Sequence, residues 1–154
     1  MSLRVGEKAP EFDVVSSAGK TLKLSDFAGK KNVVLYFYPG DFTPICTKET
    51  CGFRDMYADL ESQDTEVIGV SVDSNESHEK FAAEYKVAFA LVSDKNRELA
   101  KSYGATSFIR DILGKTARMT FVIDKKGEIT GIFAGELSAS KHLDGVKEAI
   151  KKLA

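Results

Sequence analysis

Two stretches of the chain are apolar at nearly every position, Val33-Val34-Leu35-Tyr36-Phe37-Tyr38 and Val67-Ile68-Gly69-Val70-Ser71-Val72. Runs this short, with little polar alternation, fit strands covered on both faces. Between them Phe53, Met56, Tyr57 and Leu60 fall at i, i+3, i+4 and i+7, the spacing of one helical face. Ahead of the first run the pattern predicts short strands over 12–15 and 21–24 around a Ser17-Ala18-Gly19-Lys20 turn, with Ser25 or Asp26 capping the turn that follows. Behind the second it predicts a helix over about 77–85, for which Ser74 is the better cap and Ser77 the alternative. A short strand near Leu91 and Val92 and a helix over 97–103 precede a looser stretch, 104–115. Strands over 118–123 and 128–134 then flank Asp124-Lys125-Lys126-Gly127, a hairpin with glycine where φ must be positive. The last helix, 140–153, is expected to bury Leu143, Val146, Ile150 and Leu153.

This order of elements is α/β, and its β-α-β-α course closed by a hairpin and a helix is thioredoxin-like. The expected architecture is a central mixed β-sheet flanked by helices, with an N-terminal β-hairpin extension. No linker, repeat or low-complexity segment divides residues 1–154, so one domain is expected. With 22 basic and 23 acidic residues the net charge is -1, so no overall field favours nucleic acid or an anionic membrane. No apolar run approaches the ~20 residues of a membrane span. The first residues lack the apolar core of a signal peptide, which takes the weight from the sequon Asn75-Glu76-Ser77 and makes a cytoplasmic setting the expectation. There, two cysteines point to catalysis or redox sensing rather than to a disulfide framework.

Both cysteines lie in Pro39-Gly40-Asp41-Phe42-Thr43-Pro44-Ile45-Cys46-Thr47-Lys48-Glu49-Thr50-Cys51, where a strand gives way to a helix. A helix N-terminus offers unpaired N–H groups and partial positive charge, and both stabilise a thiolate. Cys46 is therefore a candidate nucleophile, with a buried core cysteine as the plain alternative. Thr43 also reads as a turn or cap residue, Glu49 as the third helical residue of a capping box, Arg118 as a surface strand residue and Pro39 as a strand terminator. A cysteine hydrolase would need His78 or His142, both expected on exposed helical stretches. A thioredoxin-like binding module would need neither cysteine. The four residues between the cysteines disfavour C-x-x-C chemistry, and two cysteines without a nearby histidine make a poor metal site.

Pro39-x-x-x-Thr43-x-x-Cys46 resembles the active-site signature of the peroxiredoxins. Cys51, followed by Gly52-Phe53-Arg54-Asp55, is similar to the bacterioferritin comigratory protein, or peroxiredoxin Q, subgroup. Gly6-Glu7-Lys8-Ala9-Pro10-Glu11-Phe12, Leu24-Ser25-Asp26-Phe27 and Arg118-Met119-Thr120-Phe121-Val122-Ile123-Asp124 extend the likeness over nearly the whole chain. Ile45 departs from it, because many members carry glycine there. The resemblance implies a thiol-dependent peroxidase acting on hydrogen peroxide and organic hydroperoxides, with no cofactor and no metal. It implies that Cys46 is the peroxidatic thiol, assisted by Thr43, Arg118 and Pro39, with Glu49 orienting the arginine. Cys51 would be the resolving cysteine, forming a disulfide that a thioredoxin-type dithiol reduces. Residues five apart on a helix are separated by about 7.5 Å along the axis, so 46–54 must unwind for that bond to form. A one-cysteine mechanism with an external thiol is the alternative. Monomer and homodimer both remain open, and Phe108 and Ile109 are expected at the pocket mouth or at a dimer contact.

Overall fold

The two apolar runs lie side by side as parallel strands in the computed structural model, which describes residues 3–135 and 138–153. Strands β1 (Asp13–Val15) and β2 (Thr21–Lys23) form a separate antiparallel pair with Val14 opposite Leu22. Strands β3 (Asn32–Phe37), β4 (Thr65–Ser71), β5 (Ala90–Ser93), β6 (Met119–Ile123) and β7 (Ile129–Ala134) form one sheet in the order β5-β4-β3-β6-β7. Strands β3, β4 and β5 are parallel, whereas β6 runs antiparallel to β3 and β7 antiparallel to β6. This is the mixed sheet with an N-terminal hairpin that the sequence pattern predicts.

Side chains of β3 divide strictly between two cores, as the two-residue strand period demands. Val33, Leu35 and Phe37 pack with Leu22, Phe121 and Ile123, and with Leu99 and Tyr103 of α4 (Glu98–Tyr103). Val34, Tyr36 and Tyr38 face the other way, towards α2 (Pro44–Ser62), α3 (Asn75–Tyr85) and α6 (Ala139–Leu153). Gly69 makes room for one of these rings. A Cβ there would lie 2.7 Å from the Tyr36 hydroxyl and 2.8 Å from Leu91 Cδ2. Tyr36 thus lies across β4 and donates to or accepts from Thr50 of α2 at 2.9 Å.

Several expectations need correction. Neither Ser25 nor Asp26 caps α1 (Leu24–Phe27): Lys23 is its N-cap, with no side-chain bond, and the Ser25 amide donates to Glu11 instead. The stretch 104–115 contains a helix, α5 (Phe108–Ile112), although the side chains of Phe108 and Ile109 lie outside the described residues. In α6, Val146 and Ile150 are buried as expected, but Leu143 and Leu153 are only partly covered. Ser74 does cap α3, accepting from the Ser77 amide at 3.1 Å.

Burial pushes the Tyr36 and Tyr38 phenols well above their ordinary value of 10.0, with neighbouring acidic groups adding to the effect. Above that pH the unfolded chain gives up protons that the folded chain keeps, so stability falls as pH rises. The expected slope is up to about 1.4 kcal/mol per pH unit for each tyrosine. Urea unfolding between about pH 9 and pH 11 checks this. Tyr36→Phe should flatten the decline, and an unchanged slope in that variant would contradict the assignment.

Candidate active site

Helix α2 starts on Thr43, whose extended backbone (φ -82, ψ 148) is followed by Pro44 in the first helical position. Proline is at home there, because its missing N–H would have no helical partner. The first helical bond runs from Thr47 N–H to Thr43 O at 2.8 Å. The amides of Ile45 and Cys46 therefore precede the ladder and belong to the positive end of the helix. Cys46 is third in the helix and fully buried, whereas Thr43 and Pro44 are exposed. The Thr43 hydroxyl does not cap the helix but donates to Gly40 O at 2.8 Å.

This start corrects the capping-box reading of Glu49. With Thr43 as N-cap, Glu49 is the sixth helical residue, and its fully buried side chain is directed elsewhere. Its Oε1 accepts from Arg118 Nη1 at 2.9 Å, and Arg118 Nη2 donates to Cys46 Sγ at 3.1 Å. Cys46 and Glu49 are three apart, hence neighbours on one helical face, and a single guanidinium spans both. Arg118, only 3% exposed, lies just beyond the last β3–β6 pair, Phe37 with Met119. It is no surface strand residue. Burial works against its charge, but the negative charges of Cys46 and Glu49 outweigh that and raise its pKa further. Pro39 is buried at the end of β3, where the chain turns towards α2.

Sequence reasoning missed two buried histidines. His78 and His142, expected on exposed faces, are both 0% exposed. His142 Nε2 donates to Gly135 O at 3.0 Å, and its Nδ1 lies 2.7 Å from Thr120 Oγ1 and 3.4 Å from Glu49 Oε2. It therefore backs the Arg118–Glu49 pair from α6. The close approach of that helix depends on Gly52, where any Cβ would overlap the Leu143 side chain. His78 is occupied by Asp41 and by Val92 O. Both nitrogens of each ring thus have partners other than a cysteine, which removes the base a cysteine hydrolase requires. A signal for their burial was present in the spacing. His142 shares a stripe with Ala139, Val146 and Ile150, and His78 shares one with Phe81 and Tyr85.

Both cysteines are free, Cys46 buried and Cys51 partly exposed, and both lie within the unbroken α2. Residues 5–132 match the family model described as AhpC/TSA family. The chloroplastic peroxiredoxin Q of Populus jackii is 40% identical over 149 residues, spanning 96% of this chain and 68% of the relative. Peroxiredoxin Bcp of Bacillus subtilis (strain 168) is 39% identical, spanning 99% and 96% of the two chains. The crystal structure of peroxidoxin BcpB from Mycobacterium tuberculosis superposes with a TM-score of 0.89 at 28% identity, over 99% of each chain. The family model over residues 5–132 and relatives about 40% identical over nearly the whole chain, with an arginine held on the helix-start cysteine, place the chain in the AhpC/TSA family, among relatives named peroxiredoxin Q and Bcp.

Proposed function

We propose that this chain is a thiol-dependent peroxidase in which Cys46 Sγ attacks hydrogen peroxide or an organic hydroperoxide. The observation that carries the reading is the Arg118 fork, one nitrogen on Cys46 Sγ and the other on Glu49 Oε1. A guanidinium 3.1 Å from sulfur, at a helix N-terminus, favours the thiolate, and Glu49 keeps the guanidinium in that orientation. The thiolate attacks the terminal peroxide oxygen, the S–O bond forms and the O–O bond breaks. Cys46 becomes a sulfenic acid, and the leaving oxygen takes a proton to depart as water or alcohol. Negative charge grows on that oxygen, where Arg118 and the Cys46 amide are available as donors. Thr43 has committed its hydroxyl proton to Gly40 O, so its lone pairs are what it offers an incoming O–H. Pro39 walls the pocket without adding a donor that would hold water.

Cys46 is buried, so a protein thiol has no access to it while α2 is intact. Cys51 is the resolving thiol in this reading. A rise of about 7.5 Å along the helix separates the two, so 46–54 unwinds before Cys51 attacks the sulfenic sulfur, forming the disulfide and releasing water. A thioredoxin-type dithiol then supplies two electrons to restore both thiols. Two free cysteines suit the reducing conditions of a cytoplasm.

Thiol titration after one equivalent of hydrogen peroxide tests the cycle. Wild type is expected to lose two thiols, whereas Cys51→Ser loses one and leaves a sulfenic acid that dimedone traps. Undiminished thioredoxin-dependent turnover in Cys51→Ser would establish the one-cysteine alternative instead.

A further inference from the structure

Behind the Cys46 turn lies a second group of buried polar side chains to which the proposed chemistry gives no part. The side chains of Asp41 and His78 are 1% and 0% exposed. Asp41 Oδ1 accepts from the Tyr38 hydroxyl at 2.6 Å, and Oδ2 accepts from Ser77 Oγ at 2.8 Å. His78 Nδ1 is 2.7 Å from the same Oδ2, and Nε2 is 3.1 Å from Val92 O. The Asp41 amide donates to Asp73 Oδ2 at 2.8 Å, which also accepts from Ser71 Oγ at 2.7 Å. A backbone carbonyl only accepts, so His78 Nε2 carries a proton. The Tyr38 and Ser77 hydroxyls donate to Asp41, which shares one further proton with His78 Nδ1 across a buried 2.7 Å hydrogen bond.

One loop residue is in this way tied to the end of β3, to the turn after β4, to α3 and, through His78, to β5. Beyond it, Thr43 bonds back within the same loop, to Gly40 O. Phe42 has a left-handed backbone (φ 63), and its ring rests on Phe81 and Tyr85 with centroids 5.1 and 6.3 Å away. Thr43 and Pro44, which open α2, are exposed.

We propose that the buried His78–Asp41 hydrogen bond is a latch that positions the Cys46 turn, with Phe42 as the joint beyond which α2 unwinds. The proposal rests on the two-cysteine peroxidase reading. Latched, the loop presents Thr43 O to the Thr47 amide and so sets Cys46 against Arg118. The loop's own latch residue, Asp41, precedes Phe42 and its partners lie outside 46–54, so the latch bonds persist while that segment is unwound. After reduction the helix reforms from a turn that never left its place. His78 is a positioning residue in this account, acting on sulfur only through the backbone.

The two chemical steps separate the latch from general stabilisation. His78→Asn and Asp41→Asn are quenched at intervals after peroxide addition, below the melting range of both. Dimedone adducts of the Cys51→Ser background report the first step, and disulfide in the Cys51 protein reports the second. The first step is expected to slow at least tenfold in each variant, with disulfide formation from sulfenic acid within twofold of wild type. The double variant should be no slower than the worse single one. Asp41→Asn, which keeps the side-chain shape, serves if His78→Asn does not fold. Unchanged sulfenic acid formation overturns the latch, and so does an equal slowing of both steps. A Cys51→Ser protein with wild-type Asp41 and His78 that forms no sulfenic acid overturns the peroxidase reading itself, and the latch with it.

Discussion

A Cys46→Ser variant is expected to fold as the wild type does and to consume no peroxide above the buffer blank. The exchange keeps the shape of a fully buried side chain beside Arg118, so little packing is lost. The chemistry is lost entirely, because a serine hydroxyl is a far weaker nucleophile towards peroxide oxygen than a cysteine sulfur. Neither helix dipole nor arginine can make the alkoxide accessible at neutral pH. The melting temperature should change little, since the exchange is nearly isosteric. Peroxide consumption and thermal unfolding, measured on the same preparation, check both halves. Residual turnover would transfer the nucleophile to Cys51, the only other sulfur able to serve.

Arg118→Met should lower the second-order rate constant with hydrogen peroxide by about 10²–10³-fold, the usual consequence of losing one charged donor to a transition state. It should also destabilise the fold by roughly 3–5 kcal/mol, because buried Glu49 loses its guanidinium partner. Arg118→Lys keeps the charge but cannot present two nitrogens in a fixed fork, so it should recover only part of the rate. Alkylation by iodoacetamide distinguishes thiolate formation from peroxide activation. If the wild-type Cys46 thiolate depends on Arg118, alkylation slows in both variants, more in methionine. An unchanged alkylation rate would confine Arg118 to stabilising the leaving oxygen.

The sheet could be read from the sequence because burial on both faces leaves a direct trace, as in 33–38. The helix after 38 was legible too, in the spacing of Phe53, Met56, Tyr57 and Leu60, but its start was placed three residues late by reading Glu49 as the third helical residue. Polar residues inside the core were harder to place. A buried histidine or glutamate has the composition of a surface residue, and only its neighbours along the helix distinguish it. Glu49 was assigned its arginine through family likeness, while its local pattern suggested a capping box that a helix start three residues earlier, at Thr43, rules out. Arg118 is harder still. It stands before an apolar strand, where nothing local separates a buried arginine from an exposed one, and its partners lie 69 and 72 residues away. Short-range pattern does not reach that far.

That separation also bears on how the protein is made. Cys46 leaves the ribosome long before Arg118, and the guanidinium reaches it only when β6 has paired with β3. Until then the cysteine has neither its fixed cation nor a completed pocket. The contact that sets Arg118 on Cys46 is thus non-local, and it forms only with the tertiary fold, when the antiparallel β6 joins the parallel strands.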